Sequence, residues 1–230
     1  YHLKIDSLNI DTIEALRRPV LMTTEPYTGK PYSISAEDFQ ISRLSLYEDL
    51  IGQRADFKII GGASTSGGEI SVKLDATRVD AAGDSLTLDF QQNKAGTIDG
   101  EFSVRGIAGG PLSQLLHAPN TDPILGSGTV KGTPREGQGN FNLTFNDMDV
   151  AKGDILWTAE QASVNADVNI GQWDMLQPIG QRVGNNLSLN ASADLGLGDN
   201  RIANAPFRLN LKAPKLTLDA SGTFPPEGFF

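Results

Sequence analysis

Two histidines are the residues of this 230-residue chain best suited to acid–base catalysis at neutral pH, His2 and His117. A serine hydrolase needs a histidine held between a nucleophile and a carboxylate, and His117 stands beside Pro119 and Asn120 without a nucleophile motif. A zinc site needs three or four ligands, whereas the chain has no cysteine and two isolated histidines. We predict that neither histidine is functional and that the chain is not an enzyme.

Three further stretches and one pair of carboxylates resemble ligand-binding motifs without having the arrangement that the chemistry requires. The glycines of 126–132 miss the dinucleotide spacing, and 147–149 (DMD) lacks the glycine and closing glutamate of an EF-hand. The GLGD of 196–199 resembles one calcium-binding nonapeptide but occurs once. Asp75 and Asp89 fall on the polar sides of expected strands, where solvation explains them. The sequence therefore predicts no metal site and no cofactor.

The charge balance restricts the class of partner. The chain carries 19 Lys+Arg against 28 Asp+Glu, a formal net charge of -9. Nucleic acid and anionic lipid head groups both require clustered positive charge, so neither is expected as the main partner. No apolar run reaches the length of a membrane helix, and no signal peptide opens the chain. Since alternation begins already at Tyr1, we expect a fragment of a longer protein.

Alternation of apolar and polar residues is the dominant pattern of the chain. In residues 187–197 (LSLNASADLGL) every odd position is apolar and every even position is polar or glycine, which is typical of a strand with one dry face. Short glycine- and aspartate-rich turns separate the segments, which favours antiparallel hairpins. The other alternating segments are 3–10, 39–46, 57–59, 72–76, 86–90, 98–104, 141–145, 155–157, 164–170, 207–211 and 216–220.

Helix signals are few and short. Local caps and apolar spacing predict short helices near 12–18, 111–117 and 173–180. The last two occupy equivalent surroundings about 60 residues apart, each reading strand, short apolar helix, glycine, strand, which indicates a weak internal repeat. The dry faces of the strands could be sealed in a sandwich or a barrel, or could line an open groove.

The pattern of strands and interruptions along the chain resembles that of the TamB and AsmA-like family of Gram-negative envelope proteins. The resemblance rests on softly alternating strands such as LTLDFQQNKAGTIDGEFSVRG and PFRLNLKAPKLTLDASG, interrupted by segments such as GGPLSQLLHAP. It covers about residues 60–224, while residues 1–60 fit it less well. It implies one elongated all-β domain over 1–230, a mostly antiparallel U-shaped sheet (β-taco) with an apolar concave groove and a few short helices.

The resemblance also implies a function. It implies a segment of a periplasm-spanning conduit, anchored in the inner membrane, that carries phospholipid acyl chains between the two membranes. A linked role in outer-membrane protein assembly would involve a barrel partner of the TamA type. The alternative is a protein-binding β module that receives unfolded outer-membrane strands by β-augmentation. The residues expected to line the lipid groove are Leu86, Leu88, Phe90, Phe102, Val104, Phe141, Leu143, Phe145, Val164, Val168, Leu187, Leu189, Leu195, Phe207, Leu209, Leu211, Leu216 and Leu218.

Overall fold

The structure is a computed structural model that describes residues 2–16, 33–195 and 204–224. In it the strands form one open sheet. The thirteen strands follow one another across the sheet in chain order and do not close into a barrel. The predicted all-β architecture is confirmed. The strands are β1 (His2–Ala15), β2 (Ser33–Leu46), β3 (Ala55–Ser66), β4 (Glu69–Arg78), β5 (Ser85–Gln92), β6 (Ile98–Gly106), β7 (Ile124–Gly132), β8 (Gly137–Phe145), β9 (Met148–Trp157), β10 (Gln161–Asn169), β11 (Asn186–Asp194), β12 (Pro206–Ala213) and β13 (Leu216–Thr223).

The pairing is antiparallel from β2 to β13, as short connections require. The β8–β9 turn shows how tight these connections are, since Asn146 and Asp147 both have positive φ, 48° and 63°. Such a turn matches the twist of a two-residue hairpin. The acidic stretch 147–149 thus forms the turn and the beginning of β9. Only β1 departs from the rule, because it pairs with β2 in parallel.

Three short helices interrupt the meander at regular intervals. They are α1 (Glu48–Ile51), α2 (Pro111–Leu116) and α3 (Gln177–Val183), the last preceded by two 3₁₀ turns at Ile170–Gln172 and Asp174–Leu176. They follow β2, β6 and β10, that is, every fourth strand. Because these three strands run in the same direction, all three helices lie at one end of the strands, which we call the helix end.

The structure confirms two of the expected helices, adds one and corrects one. The helices near 111–117 and 173–180 are present, and α1 is a third copy of the strand–helix–strand unit. The helix expected at 12–18 is wrong for residues 12–15, which are the last residues of β1; residues 17 and 18 lie outside the described residues. Residues 12–15 pair with 43–46 of β2, and this pairing overrides the local cap signal.

The buried core is small and lies at the helix end. Ala118, Ile124, Phe145 and Val150 form its centre. Side chains from α2 and from the 3₁₀ segment cover it, and the ring of Trp173 meets that of Phe145 edge-on at 5.1 Å. The indole Nε1 of Trp173 donates to the carbonyl of Leu116 at 3.1 Å, which ties the 3₁₀ segment to α2. The helices therefore give the sheet a second layer along this end.

Candidate functional site: an uncovered apolar face

One unbroken row of apolar residues crosses the sheet from β2 to β13. Its members pair from strand to strand, so their side chains share one face. We call it the central row and the face that carries it the apolar face. The central row consists of Phe39, Gly61, Leu74, Leu88, Phe102, Gly128, Phe141, Gly153, Ala166, Leu189, Leu211 and Leu218.

The opposite face carries a matching polar row, one residue along each strand. Its members are charged or can hydrogen-bond, and neighbours contact each other: Asn140 donates to Thr129 Oγ1 at 2.8 Å, and Asn190 donates to Asn165. The difference between the two faces therefore persists from β4 to β13. The polar row consists of Lys73, Asp89, Glu101, Thr129, Asn140, Asp154, Asn165, Asn190, Asn210 and Asp219.

The described residues place no second layer over much of the apolar face. Phe102 is 41% exposed, Leu86 39% and Leu218 47%, although each projects from the side that alternation marks as dry. Phe141 and Leu189 are half-buried, covered by their neighbours within the sheet. Apolar side chains that stay exposed or half-buried along one face of a sheet are candidates for contact with a ligand or a partner.

Aromatic rings on this face lie across glycines of the neighbouring strand. A Cβ atom at Gly128 would lie 2.5 Å from Phe102 Cε1, and one at Gly153 would lie 2.8 Å from Phe141 Cε1. The same relation joins Phe39 to Gly61, Phe90 to Gly100, Trp157 to Gly137 and Phe207 to Gly222. Glycine thus leaves room for each ring to lie close against the sheet, so that the apolar face is nearly flat.

An apolar cavity of about 450 Å³ adjoins the helix end of this face. Leu44, Phe57, Leu86 and Val104 of the strands form its floor, and side chains of α1 and α2 form its wall. Its size falls within the range of about 300–1,000 Å³ that is usual for small-molecule sites. The helices touch one another, since Gln53 Nε2, just after α1, donates to the carbonyl of Gly109 before α2 at 3.2 Å.

Arg78 holds the turn beneath this wall in place. Its guanidinium is almost fully buried and donates to Asp80 Oδ1 and Asp84 Oδ2, both at 2.9 Å. Asp84 also accepts from the backbone N–H of Ile107 at 2.9 Å, which joins β4, β5 and the residues after β6. The Arg78 hydrogen bond lowers the pKa of Asp80 to about 2, and the two carboxylates raise the pKa of Arg78.

A larger open depression of about 890 Å³ lies on the polar face. Within it Lys73 Nζ lies 2.8 Å from Asp89 Oδ2, a contact that raises the pKa of Lys73 and lowers that of Asp89. Exposed ion pairs of this kind are screened by solvent and contribute little to the stability of the fold. We therefore take the apolar face, rather than the larger depression, as the candidate functional site.

Most of the residues predicted to line a lipid groove project from the apolar face. The strand registers place sixteen of the eighteen on the apolar face. The other two, Leu195 and Phe145, differ from them. Leu195 follows the end of β11, where its N–H donates to the carbonyl of Glu160 at 2.6 Å. Phe145 is 0% exposed within the helix-end core, so it cannot contribute to an accessible lining. Residues that sequence reasoning missed include Phe39, Leu74 and Ala166, each of which stood in an alternating segment.

The histidines and the other motif-like stretches have structural positions. His117 is exposed and ends α2 with a φ of 51°, and His2 belongs to β1. Gly126 and Gly128 lie under Val104 and Phe102 in the middle of β7. Among the described residues, no group of three His, Cys, Asp or Glu side chains could hold a metal ion. The stretch 196–199 lies outside the described residues.

The part of the chain that the structure describes contains no helix long and apolar enough to cross a membrane. Comparisons of the chain with protein-family models, with curated proteins and with solved structures found no match. The geometry of the apolar face therefore carries the functional interpretation.

Proposed function

We propose that the apolar face lines an open groove that binds the acyl chains of phospholipids. The observation that carries the proposal is the central row, which runs through twelve consecutive strands and has no covering layer within the part of the chain that the structure describes. Burying one large apolar side chain contributes roughly 1.5–3 kcal/mol, so an uncovered row forgoes stabilisation that a ligand of matching chemistry could supply. A flexible hydrocarbon chain suits a long, low-relief surface without hydrogen-bonding groups.

The resemblance to the TamB and AsmA-like family supports a wider form of the proposal. In that form the chain is one segment of a periplasmic conduit that moves phospholipid between the inner and outer membranes of a Gram-negative bacterium. The length of the central row is consistent with movement along the sheet, because no charged side chain interrupts it. The link to outer-membrane protein assembly and to a TamA-type barrel partner rests on the resemblance alone.

The test is native mass spectrometry of the chain purified from a Gram-negative host without detergent. We expect copurifying phospholipid with the wild type. Leu189→Arg places a charge in the central row and should abolish copurification, whereas Asn190→Arg, one residue along the same strand but on the polar face, should retain it. Both variants must show the wild-type circular dichroism spectrum.

Two results would contradict the proposal. One is a wild-type protein that carries no lipid even after incubation with phosphatidylethanolamine vesicles. The other is equal lipid occupancy in Leu189→Arg and Asn190→Arg, which would place any bound lipid away from the apolar face.

A further inference from the structure

The cavity at the helix end is continuous with the central row. Leu74 belongs to both, since it is the residue of the central row on β4 and also lies on the lining of the cavity. Leu86 of β5 and Val104 of β6 lie on the same face, one residue pair nearer to the helix end. A ligand on the apolar face can therefore extend along β4 to β6 into the cavity over apolar side chains alone.

The helices that form the wall of the cavity pack closely against the floor and against each other. A Cβ atom at Gly106, the last residue of β6, would lie 2.9 Å from Leu112 Cβ, so α2 lies directly on the end of this strand. A Cβ atom at Gly52, which ends α1, would likewise lie 2.9 Å from Gln114 Cβ of α2. Neither contact leaves room for a methyl group. The cavity is thus closed between α1 and α2 and between α2 and β6, and it opens toward the central row.

The polar residues on the lining of the cavity are already hydrogen-bonded or belong to the other face of the sheet. Asp84 Oδ1 accepts from the N–H of Ile107, and Asp84 Oδ2 accepts from Nη1 of Arg78, both at 2.9 Å. Ser85 and Arg105 pair with each other at polar-face positions of β5 and β6. A polar group buried without a hydrogen bond costs about 1–3 kcal/mol. An occupant must therefore be apolar at the end that enters the cavity.

The opposite ends of the same strands carry charged side chains. Lys131 Nζ, near the end of β7, lies 3.3 Å from Asp99 Oδ2 at the start of β6. Lys94 Nζ, in the turn between β5 and β6, lies 4.0 Å from Glu69 Oε2 at the start of β4. All four side chains are exposed. The strands therefore lead from an apolar cavity at one end to charges of both signs at the other, an order that matches a zwitterionic phospholipid from its methyl end to its head group.

We propose that the cavity binds the methyl end of a phospholipid acyl chain, so that the lipid lies along β4 to β6 with its head group at the end opposite to the helices. The inference rests on the proposed function, because it takes the apolar face as the surface that binds acyl chains. It adds the direction of the acyl chain, which runs parallel to the strands rather than along the central row. The head group cannot replace the methyl end, because a charge buried without a partner is strongly unfavourable.

Spin-labelled lipids test the direction of the acyl chain on the whole protein. The ¹⁵N-labelled chain is incubated with vesicles of phosphatidylcholine that carries a nitroxide either next to the methyl end or next to the carboxyl end of its stearoyl chain. After the vesicles are removed, NMR shows which amide signals each nitroxide broadens. Leu86 and Gln92 stand at the two ends of β5, about 20 Å apart at the usual rise of a strand, so the two positions can be distinguished.

We expect the methyl-end nitroxide to broaden Leu86 and Val104 more than Gln92, and the carboxyl-end nitroxide to give the reverse order. Leu86→Trp, at a side chain that is 39% exposed, places a larger ring in the cavity. It should abolish the broadening of Val104 by the methyl-end nitroxide. Displacing two methylene groups, at about 0.8 kcal/mol each, should also weaken lipid binding about tenfold. Leu125→Trp, 42% exposed at the helix end but on the polar face, is the matched control and should change neither result.

The outcomes separate this inference from the proposed function. Broadening on the apolar face in the reverse order, or equally by both nitroxides at both ends, would reject the cavity and leave the groove. Methyl-end broadening that reaches the central row but not Leu86 would mean that another part of the chain fills the cavity, and would also reject it. Equal effects of Leu86→Trp and Leu125→Trp in folded proteins would do the same. No broadening by either lipid would reject the groove together with the cavity. Since the two nitroxides are compared on the wild type, the test stands even if Leu86→Trp does not fold.

Discussion

Two regions of the apolar face have the same sequence pattern and different surroundings. Around Phe145, at the helix end, α2 and Trp173 cover the strands, and Phe145 is 0% exposed. Around Phe102, in the central row, none of the described residues forms a second layer over the strands, and Phe102 is 41% exposed. Both phenylalanines stand at apolar positions of alternating strands. The comparison shows that alternation defines a dry face, whereas the connections between strands decide which part of it becomes a core.

The largest expected effect comes from placing a charge in each region. Ile124→Arg would bury an unpaired guanidinium in the helix-end core and should cost several kcal/mol, enough to unfold the chain. In the central row, Leu189→Arg can extend its charged group along the open surface to water, so the loss of stability should be modest. Thermal melting followed by circular dichroism measures both.

The comparison fails if the two arginine variants behave alike. A collapsed melting transition in Leu189→Arg would mean that the central row is sealed in solution, and the groove would then be abandoned. A near-normal transition in Ile124→Arg would mean that the helices do not cover the helix end.

Truncating one phenylalanine in each region sharpens the comparison. Phe145→Ala removes a fully buried ring and should cost about 3–5 kcal/mol in the free energy of unfolding, because it leaves a cavity. Phe102→Ala removes a ring that is little more than half covered and should cost about 1 kcal/mol. Urea denaturation gives both values. Equal losses would contradict the assignment of core and lining.

A methyl group added under a ring should have a smaller effect. At Gly128 a Cβ atom would meet both the ring of Phe102 at 2.5 Å and the backbone oxygen of Asn140 at 2.7 Å, so Gly128→Ala should cost about 1–3 kcal/mol. At Gly222 the nearest atoms, 2.9 Å away, belong to the ring of Phe207. That ring can tilt, so Gly222→Ala should cost less, and the reverse order of stabilities would show that the rings do not lie as described.

The sequence was sufficient to predict the strands but not the layer above them. Apolar–polar alternation is a local pattern, and it correctly identified a segment of each strand from β1 to β6 and from β8 to β13. The cover over Phe145 depends on contacts between α2, Trp173 and β8, which are distant along the chain, so that no local pattern distinguishes Phe145 from Phe141. Phe145 was accordingly assigned to the groove with the others.

Two local signals were present and were not used correctly. The acidic residues Glu48 and Asp49 followed by Gly52 are ordinary start and stop signals for a helix, and they mark α1. At residues 12–15 a cap-like signal predicts a helix, but Ile13 and Ala15 continue the apolar spacing of β1, in which two steps of three residues stand among steps of two. The steps of three lie beside the bulges of β2, between Ala36 and Phe39 and between Ile41 and Leu44, so they can be interpreted only from the pair of strands.

The smallest expected effect is a loss of folding stability at low pH, which depends on a charged contact at the helix end. The pKa of Asp80 is lowered from 3.8 to about 2 by Arg78, at the turn that supports the helix wall. In the unfolded chain Asp80 takes up a proton as the pH falls below about 4, while the folded chain resists until about pH 2. Stability from this contact is therefore complete above about pH 4 and is lost between about pH 4 and pH 2.

Asp80→Asn should lower the free energy of unfolding at pH 7 by about 1 kcal/mol, an amount reduced by the partial exposure of the carboxylate. The deficit relative to the wild type should shrink as the pH falls through this window, because the wild type loses the same contribution by protonation. Asp75→Asn, an exposed change on β4, serves as the control at each pH. Urea denaturation at pH 7, 4 and 3 measures the difference, and a deficit that stays constant with pH would mean that Asp80 supports the helix end by its shape rather than by its charge.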